Sequence, residues 1–323
     1  MHHVRTHPAC AGLPFRAAQR RGREVCCCAE RTRRLPNGLV VHFVSAPDVG
    51  FLYQEVFVER CYEQQGVSLK AGDTVLDVGA NVGFFALYAA AAVSPGGRVV
   101  CCEPAPAAFD ALRRTLAANQ SLLSAVDVRA LNLGLSDGSQ TRGGLTVYPR
   151  AAGWSSMEPD DAEVRSNVAA FASAALPTAL GALWPAMGRR LAPLLARLQR
   201  TVLLRGVAGL VSSRLLGNAS RVEVQLTTVS DLIDAMDAHL LFPSHPLALL
   251  KIDVERHELE VLRGVRASHW PRILQVAAEV HDREGRLAQV LALLRAAGFT
   301  SITAVQPASM KDSNLYNVYA HRG

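Results

Sequence analysis

The stretch Asp73–Pro104, DTVLDVGANVGFFALYAAAAVSPGGRVVCCEP, decides the fold. Thr74 to Val78 is short and apolar, as a strand buried on both faces is. Gly79-Ala80-Asn81-Val82-Gly83 is a tight turn, in which Gly79 allows a close approach to the backbone and Gly83 seats the following helix on the sheet. Phe84 to Ala92 is that helix, with its free N–H groups aimed over the turn. Val99 to Cys102 is the next strand, and Glu103 ends it. A carboxylate there, 20 residues after Gly83, suits a grip on ribose hydroxyls.

The turn reads Asp-x-Gly-x-Asn-x-Gly and not Gly-x-Gly-x-x-Gly, which disfavours a nicotinamide dinucleotide and its pyrophosphate. An acidic Asp77 just before the glycines suits a ligand with an ammonium group and no phosphate. S-adenosylmethionine is such a ligand. The expected cofactor contacts are therefore Asp77, Gly79, Asn81, Gly83 and Glu103. Downstream, Gly134-Leu135-Ser136-Asp137-Gly138 forms a turn. Ser136 and Asp137 are candidates to meet an adenine edge, the alternative being a simple Asp-Gly turn.

Outward from this unit the chain alternates strands and helices. Strands are expected at Val126–Leu133, Leu145–Tyr148, Leu247–Val254 and Ile273–Val280, and helices at Pro104–Asn119 and Arg286–Ala297. Phe51–Gln65 reads as a helix stopped by Gly66, with Tyr53 and Tyr62 more suited to packing than to ligand contact. Gln225–Leu232 reads as a strand running into a helix capped by Ser230. Phe299–Val305 and Leu315–Ala320 close the chain as an antiparallel pair. The pattern predicts an α/β fold: a mostly parallel twisted sheet with helices on both faces. Ligands bind such sheets at the carboxyl ends of strands. Asp77, Glu103, Asp253, Glu255, Glu279 and His281 all stand at such ends.

The 323 residues carry a net charge of +6, and residues 1–34, with eight Arg and two Glu, hold all of that surplus. The remainder is neutral, so charge gives no reason to expect nucleic-acid binding. The tail is Arg-rich, acid-poor and free of serine. It is expected to be disordered or to resemble an organelle transit peptide. Seven cysteines, five of them in the adjacent runs Cys26-Cys27-Cys28 and Cys101-Cys102, without disulfide spacing, point to a reducing compartment, cytoplasm or plastid-like organelle. Residues 35–323 then form the folded domain. Within it, residues 164–222 hold eight Arg and no acid. They read as a helical insertion: a packed or lid-like element first, and a surface for peripheral contact with an anionic membrane second.

Five blocks together resemble the FkbM family of methyltransferases: LDVGANVGFF, VVCCEPAP, LTTVSDLI, LLKIDVERHELEVLRGV and AAEVHDREG. They run in order from Phe51 to about Ala320, with 164–222 outside. The resemblance implies a Rossmann-like class I methyltransferase fold, S-adenosylmethionine as methyl donor, and O-methylation of a small-molecule, sugar or lipid-like acceptor. One departure stands out: the family usually has Gly after Asp-Val-Glu, and this chain has Arg256. The competing reading is a non-catalytic cofactor- or partner-binding module of the same fold.

A hydroxyl acceptor needs a base. Asp253, Glu255 and His281 are the candidates, His281 having the best unperturbed pKa. Each has a plainer alternative, Asp253 as a carboxylate satisfying nearby N–H groups and His281 as a packed or capping residue. A metal held by Asp253, Glu255, Glu279 and His281 stays an open alternative, since an oxygen-rich set suits Mg²⁺, and no metal ligand is assigned. Lys251, inside an apolar strand, is expected to reach Glu279 or to snorkel to the rim.

Overall fold

The computed structural model describes residues 31–160, 162, 216–238, 246–307, 310 and 313–322. The Arg- and Cys-rich tail and almost all of the 164–222 insertion lie outside the described residues. The domain starts slightly earlier than expected, with β1 (Thr32–Arg34) paired antiparallel to β2 (Val40–His42) around the Pro36-Asn37-Gly38 turn. The Arg31 side chain anchors this hairpin through the Val44 carbonyl.

α1 (Asp48–Tyr53) runs directly into a π-helical turn, Gln54–Val58, and stops there. The helix expected to reach Gln65 is therefore shorter, because the backbone turns left-handed at Arg60 (φ 51°) and again at Gln65 (φ 52°). The Asp73–Glu103 unit follows as read, β3 (Thr74–Val78), α2 (Phe84–Val93) and β4 (Arg98–Cys102), and then come α3 (Pro106–Ala118), a short α4 (Gln120–Leu123) that was not expected, and β5 (Asp127–Leu131). Pro106 opens α3 at the position where a missing N–H leaves nothing unsatisfied.

β6 (Gly134–Leu135), β7 (Arg142–Val147) and β8 (Ser220–Thr227) form a separate three-stranded sheet in the order β6-β8-β7. Val147 pairs with Ser220, so the two ends of the chain flanking the insertion meet there. α5 (Val229–Ala238) follows. Its first turn is capped by Thr228 Oγ1, which accepts the Asp231 N–H at 2.9 Å. Ser230, the expected cap, instead accepts the Arg266 N–H at 2.7 Å. No helix among the described residues is long and apolar enough to cross a membrane.

β9 (Leu249–Ile252), α6 (Glu258–Arg263), β10 (Gln275–His281), α7 (Arg286–Ala296), β11 (Ser301–Val305) and β12 (Leu315–His321) complete the fold. The main sheet has seven strands in the order β11-β12-β10-β9-β3-β4-β5. β10, β9, β3, β4 and β5 are parallel, and β12 runs antiparallel between β10 and β11. Alternate residues of β3 serve the two faces: Leu76 and Val78 join the core shared with α5, α6 and α7, and Val75 joins the core with α2. The strand order reverses between β3 and β9, and the carboxyl ends there carry the candidate residues.

Candidate active site

The cofactor-side wall is built from the β3 turn and the end of β4. Glu103 stands at the end of β4 with both carboxylate oxygens on backbone donors: Oε2 accepts the Asn81 N–H and Oε1 the Ala105 N–H, each at 2.8 Å. Burial pushes its pKa up to about 7, and the two backbone bonds restrain that rise. Asn81 holds φ 48°, which Asn tolerates better than most residues. Its side-chain oxygen is buried without a hydrogen-bond partner. Gly79, at φ 79°, admits no side chain, since a Cβ would lie 1.7 Å from the Asp253 carbonyl oxygen. The close approach is thus that of the β9 chain end. Gly83 does not border the crevice, and its close approach is to α3 and not to the helix it opens: a Cβ there would meet Leu112 of α3 at 2.7 Å.

Asp77 departs from expectation. It is fully buried and does not border the crevice; Lys251 Nζ lies 2.9 Å from its Oδ1. Asp77 and Lys251 are register partners across β3 and β9, which explains the pairing and also why Lys251 does not reach for Glu279. Nζ also donates to the Gly79 carbonyl at 2.8 Å and lies 5.1 Å from the centre of the Tyr62 ring. The ammonium that Asp77 meets is the protein's own. Burial raises the Asp77 pKa and the lysine beside it works against that rise.

Ser136 and Asp137 are corrected as well. Neither borders the crevice, where the backbone of Gly134 and Leu135 stands instead. Ser136 is buried with its Oγ 2.9 Å from His257 Nε2. Asp137 is exposed, and Ser139 holds its carboxyl below the usual range, through its hydroxyl first and through its N–H, which Asp137 Oδ1 accepts at 2.9 Å, second. The plain Asp-Gly turn is the arrangement observed.

The opposite wall carries the acids. A crevice is bordered by Asn81 and Glu103 on one side and by Asp253, Glu255 and His257 on the other. Asp253 Oδ2 accepts the Tyr62 hydroxyl at 2.8 Å. Tyr62 is buried, as a packing residue is, and also holds a carboxylate that borders the crevice; its place in the segment before the first strand of the main sheet was the available signal. Glu255 has its pKa raised to about 7, by burial first, with the His281 cation opposing. Glu55, on the π-helical turn, is raised to about 8 by burial and by Asp253.

His281 is not placed to act as a base. It is 2% exposed, with Nδ1 3.2 Å from Glu258 Oε1 and Nε2 3.4 Å from Glu255 Oε2. Those carboxylates outweigh burial and lift its pKa to about 9, so it carries a charge at neutral pH and steadies Glu255. Glu255, Glu279 and His281 each offer one ligand atom, all within 4.8 Å of one another, so this group has the spacing to hold a divalent cation.

The third wall was not legible in the sequence. A strap after β7 places Ala152, Gly153, Ser155 and Met157 against the crevice. Nothing in Trp154-Ser155-Ser156 distinguishes it from an ordinary loop.

Residues 202–301 match the model of the methyltransferase FkbM domain. The chain is 37% identical over 291 residues to the 31-O-demethyl-FK506 methyltransferase FkbM of Streptomyces tacrolimicus, covering 90% of this chain and 96% of that protein. The chain belongs to the FkbM methyltransferase family. A second family relative, methyltransferase sdnD of Sordaria araneosa, is 29% identical over 263 residues, covering 81% of this chain and 86% of its own length. Among solved structures, methyltransferase FkbM from Methylobacillus flagellatus KT aligns with a TM-score of 0.40 at 15% identity, covering 78% of this chain and 44% of that one. The FkbM blocks quoted from the sequence map onto β3 and its turn, β4, the start of α5, β9 with α6, and β10.

Proposed function

We propose that this FkbM-family chain transfers the methyl group of S-adenosylmethionine to a hydroxyl of a small-molecule acceptor. One observation carries the reading: Asn81 and Glu103 share a single crevice with Asp253 and Glu255. That brings a donor cradle and a proton acceptor together at the switch point of the sheet.

The residues fit the donor. The buried, unpartnered Asn81 oxygen can accept a hydrogen bond from it, and Glu103, already fixed by two backbone N–H groups, presents its carboxylate to a ribose edge. The donor supplies a methyl group on a sulfonium, already electrophilic, so the protein's tasks are alignment and proton removal. Glu255 takes the acceptor proton. Its pKa of about 7 lets it be ionised at neutral pH while remaining a better base than an ordinary carboxylate. His281, charged and locked between Glu258 and Glu255, holds that carboxylate in place. Asp253, fixed by Tyr62, is placed to orient the acceptor hydroxyl. The name of the Streptomyces relative specifies an oxygen of a small molecule, which supports a hydroxyl acceptor here; sugar and lipid-like acceptors belong to the same class.

The test is calorimetric titration of the full chain with S-adenosylmethionine and, separately, NADH. Binding of the first that is lost in Glu103→Ala, followed by labelled-methyl transfer to a panel of hydroxylated compounds, is the expected result. A folded protein that binds NADH or neither compound would overturn the reading.

A further inference from the structure

Arg256 occupies the position after Asp-Val-Glu where the FkbM motif usually has glycine, and its backbone holds the conformation glycine favours, φ 78°. The preceding Glu255 is also left-handed, at φ 49°. A side chain at such a position strains the backbone, and a guanidinium only 1% exposed has been taken out of water as well. Interactions of the side chain must offset both costs.

They are made to the strap, beside the crevice. Arg256 Nε donates to the Glu158 carbonyl at 2.9 Å, joining the loop after β9 to the strap 151–158. Two bonds flank this one: Ser156 Oγ donates to the Glu255 carbonyl at 2.5 Å, and His257 Nδ1 lies 3.3 Å from Glu158 Oε1. Arg286 Nη2 holds the other Glu158 oxygen at 3.0 Å. The strap is held at its base as well: Thr146 and Ser156 exchange backbone hydrogen bonds at 2.9 and 3.0 Å, and Trp154 packs on Tyr148 and Ala151. Its last residues before Asp160 carry mostly polar side chains, and it is a wall of the same crevice that Asp253 and Glu255 border.

We propose that Arg256 is a positioning residue that latches the 151–158 strap over the crevice, so that the donor is retained and the acceptor must enter past a closed wall. This rests on the reading that the crevice holds S-adenosylmethionine. Arg256 reaches no reacting atom; it acts through the strap and through the loop bearing Glu255.

The experiment compares the full-length wild type with Arg256→Gly, Arg256→Gln and Arg256→Lys. The readouts are affinity for S-adenosylmethionine by calorimetry and amide hydrogen exchange of residues 151–158, with exchange of β3 and β9 as the internal control. Gly relaxes the backbone and removes the latch; Gln retains bulk without charge; Lys retains a cationic donor. The expected result is about tenfold weaker binding and about tenfold faster exchange confined to the strap in Gly and Gln, the size of one charge-assisted hydrogen bond, with Lys within about threefold of wild type. If the Gly variant does not fold, Gln against Lys decides. Unchanged strap exchange in the Gly and Gln variants, or faster exchange spread equally over β3 and β9, overturns the latch. If the wild type itself fails to bind S-adenosylmethionine, the cofactor reading fails, and strap exchange alone still decides the latch.

Discussion

Replacing Lys251 by Met tests the electrostatic centre of the fold. The Lys251–Asp77 pair has side chains 3% and 0% exposed, and the lysine also serves the Gly79 carbonyl. Methionine fills most of the volume but leaves Asp77 as a buried charge with no cation in contact. Breaking such a pair costs about 3–5 kcal/mol. The carboxyl can escape by taking a proton, which caps the cost: protonating an acid of ordinary pKa 3.8 takes about 4 kcal/mol at pH 7 but only about 1.5 kcal/mol at pH 5. Urea unfolding of Lys251→Met should therefore show a loss of about 4 kcal/mol at pH 7 that shrinks by more than half at pH 5. Replacing both partners, Asp77→Leu with Lys251→Met, should recover most of that loss, because no buried charge is left behind. A single variant within 1 kcal/mol of wild type at pH 7, or equally destabilised at both pH values, would refute the argument.

Three further outcomes follow from the site. Methyl transfer should rise with pH as Glu255 ionises near pH 7, and Glu255→Gln should lower the rate about 10²-fold or more and remove that limb, checked by labelled-methyl assay across pH 5.5–8.5. His281 has a folded pKa of about 9 against an ordinary 6.5, so its charge stabilises the fold fully below pH 6.5, and that contribution fades as pH rises through 9. The melting-point gap between wild type and His281→Gln should accordingly be largest at pH 6 and narrow by pH 10, the shift being worth roughly 3 kcal/mol at most. Gly79→Ala should destabilise by about 2–4 kcal/mol in chemical denaturation, through positive φ and a clash with the Asp253 carbonyl that has no flexible side chain to give way.

Much of the fold was legible because it is local. A buried five-residue strand, a glycine turn, an apolar helix and a second strand follow one another within Asp73–Glu103, and each is specified by neighbours in sequence. Glu103 at the end of β4 was readable for the same reason: a strand end fixes it with no reference to distant chain. The helix ends were less readable. The stop after Val58 depends on a left-handed Arg60 that no glycine announces, and the Thr228 cap stands only two residues from the expected Ser230.

The sequence alone thus determined the α/β architecture, the identity of the cofactor-side turn, and the strand ends on which chemistry is placed. Tertiary structure decided which of those residues face the crevice. Asp77 is withdrawn from it because sheet register sets Lys251 opposite, 174 positions away in the chain. His281 becomes a fixed cation because the turn after β9 and the start of α6 bring Glu255 and Glu258 to its two nitrogens. The strap, with Glu158 gripped by Arg256, His257 and Arg286, forms a wall whose partners lie about a hundred residues downstream. Charge pairing and burial act through space, and a periodic pattern along the chain records which face a residue takes but not which group it meets there.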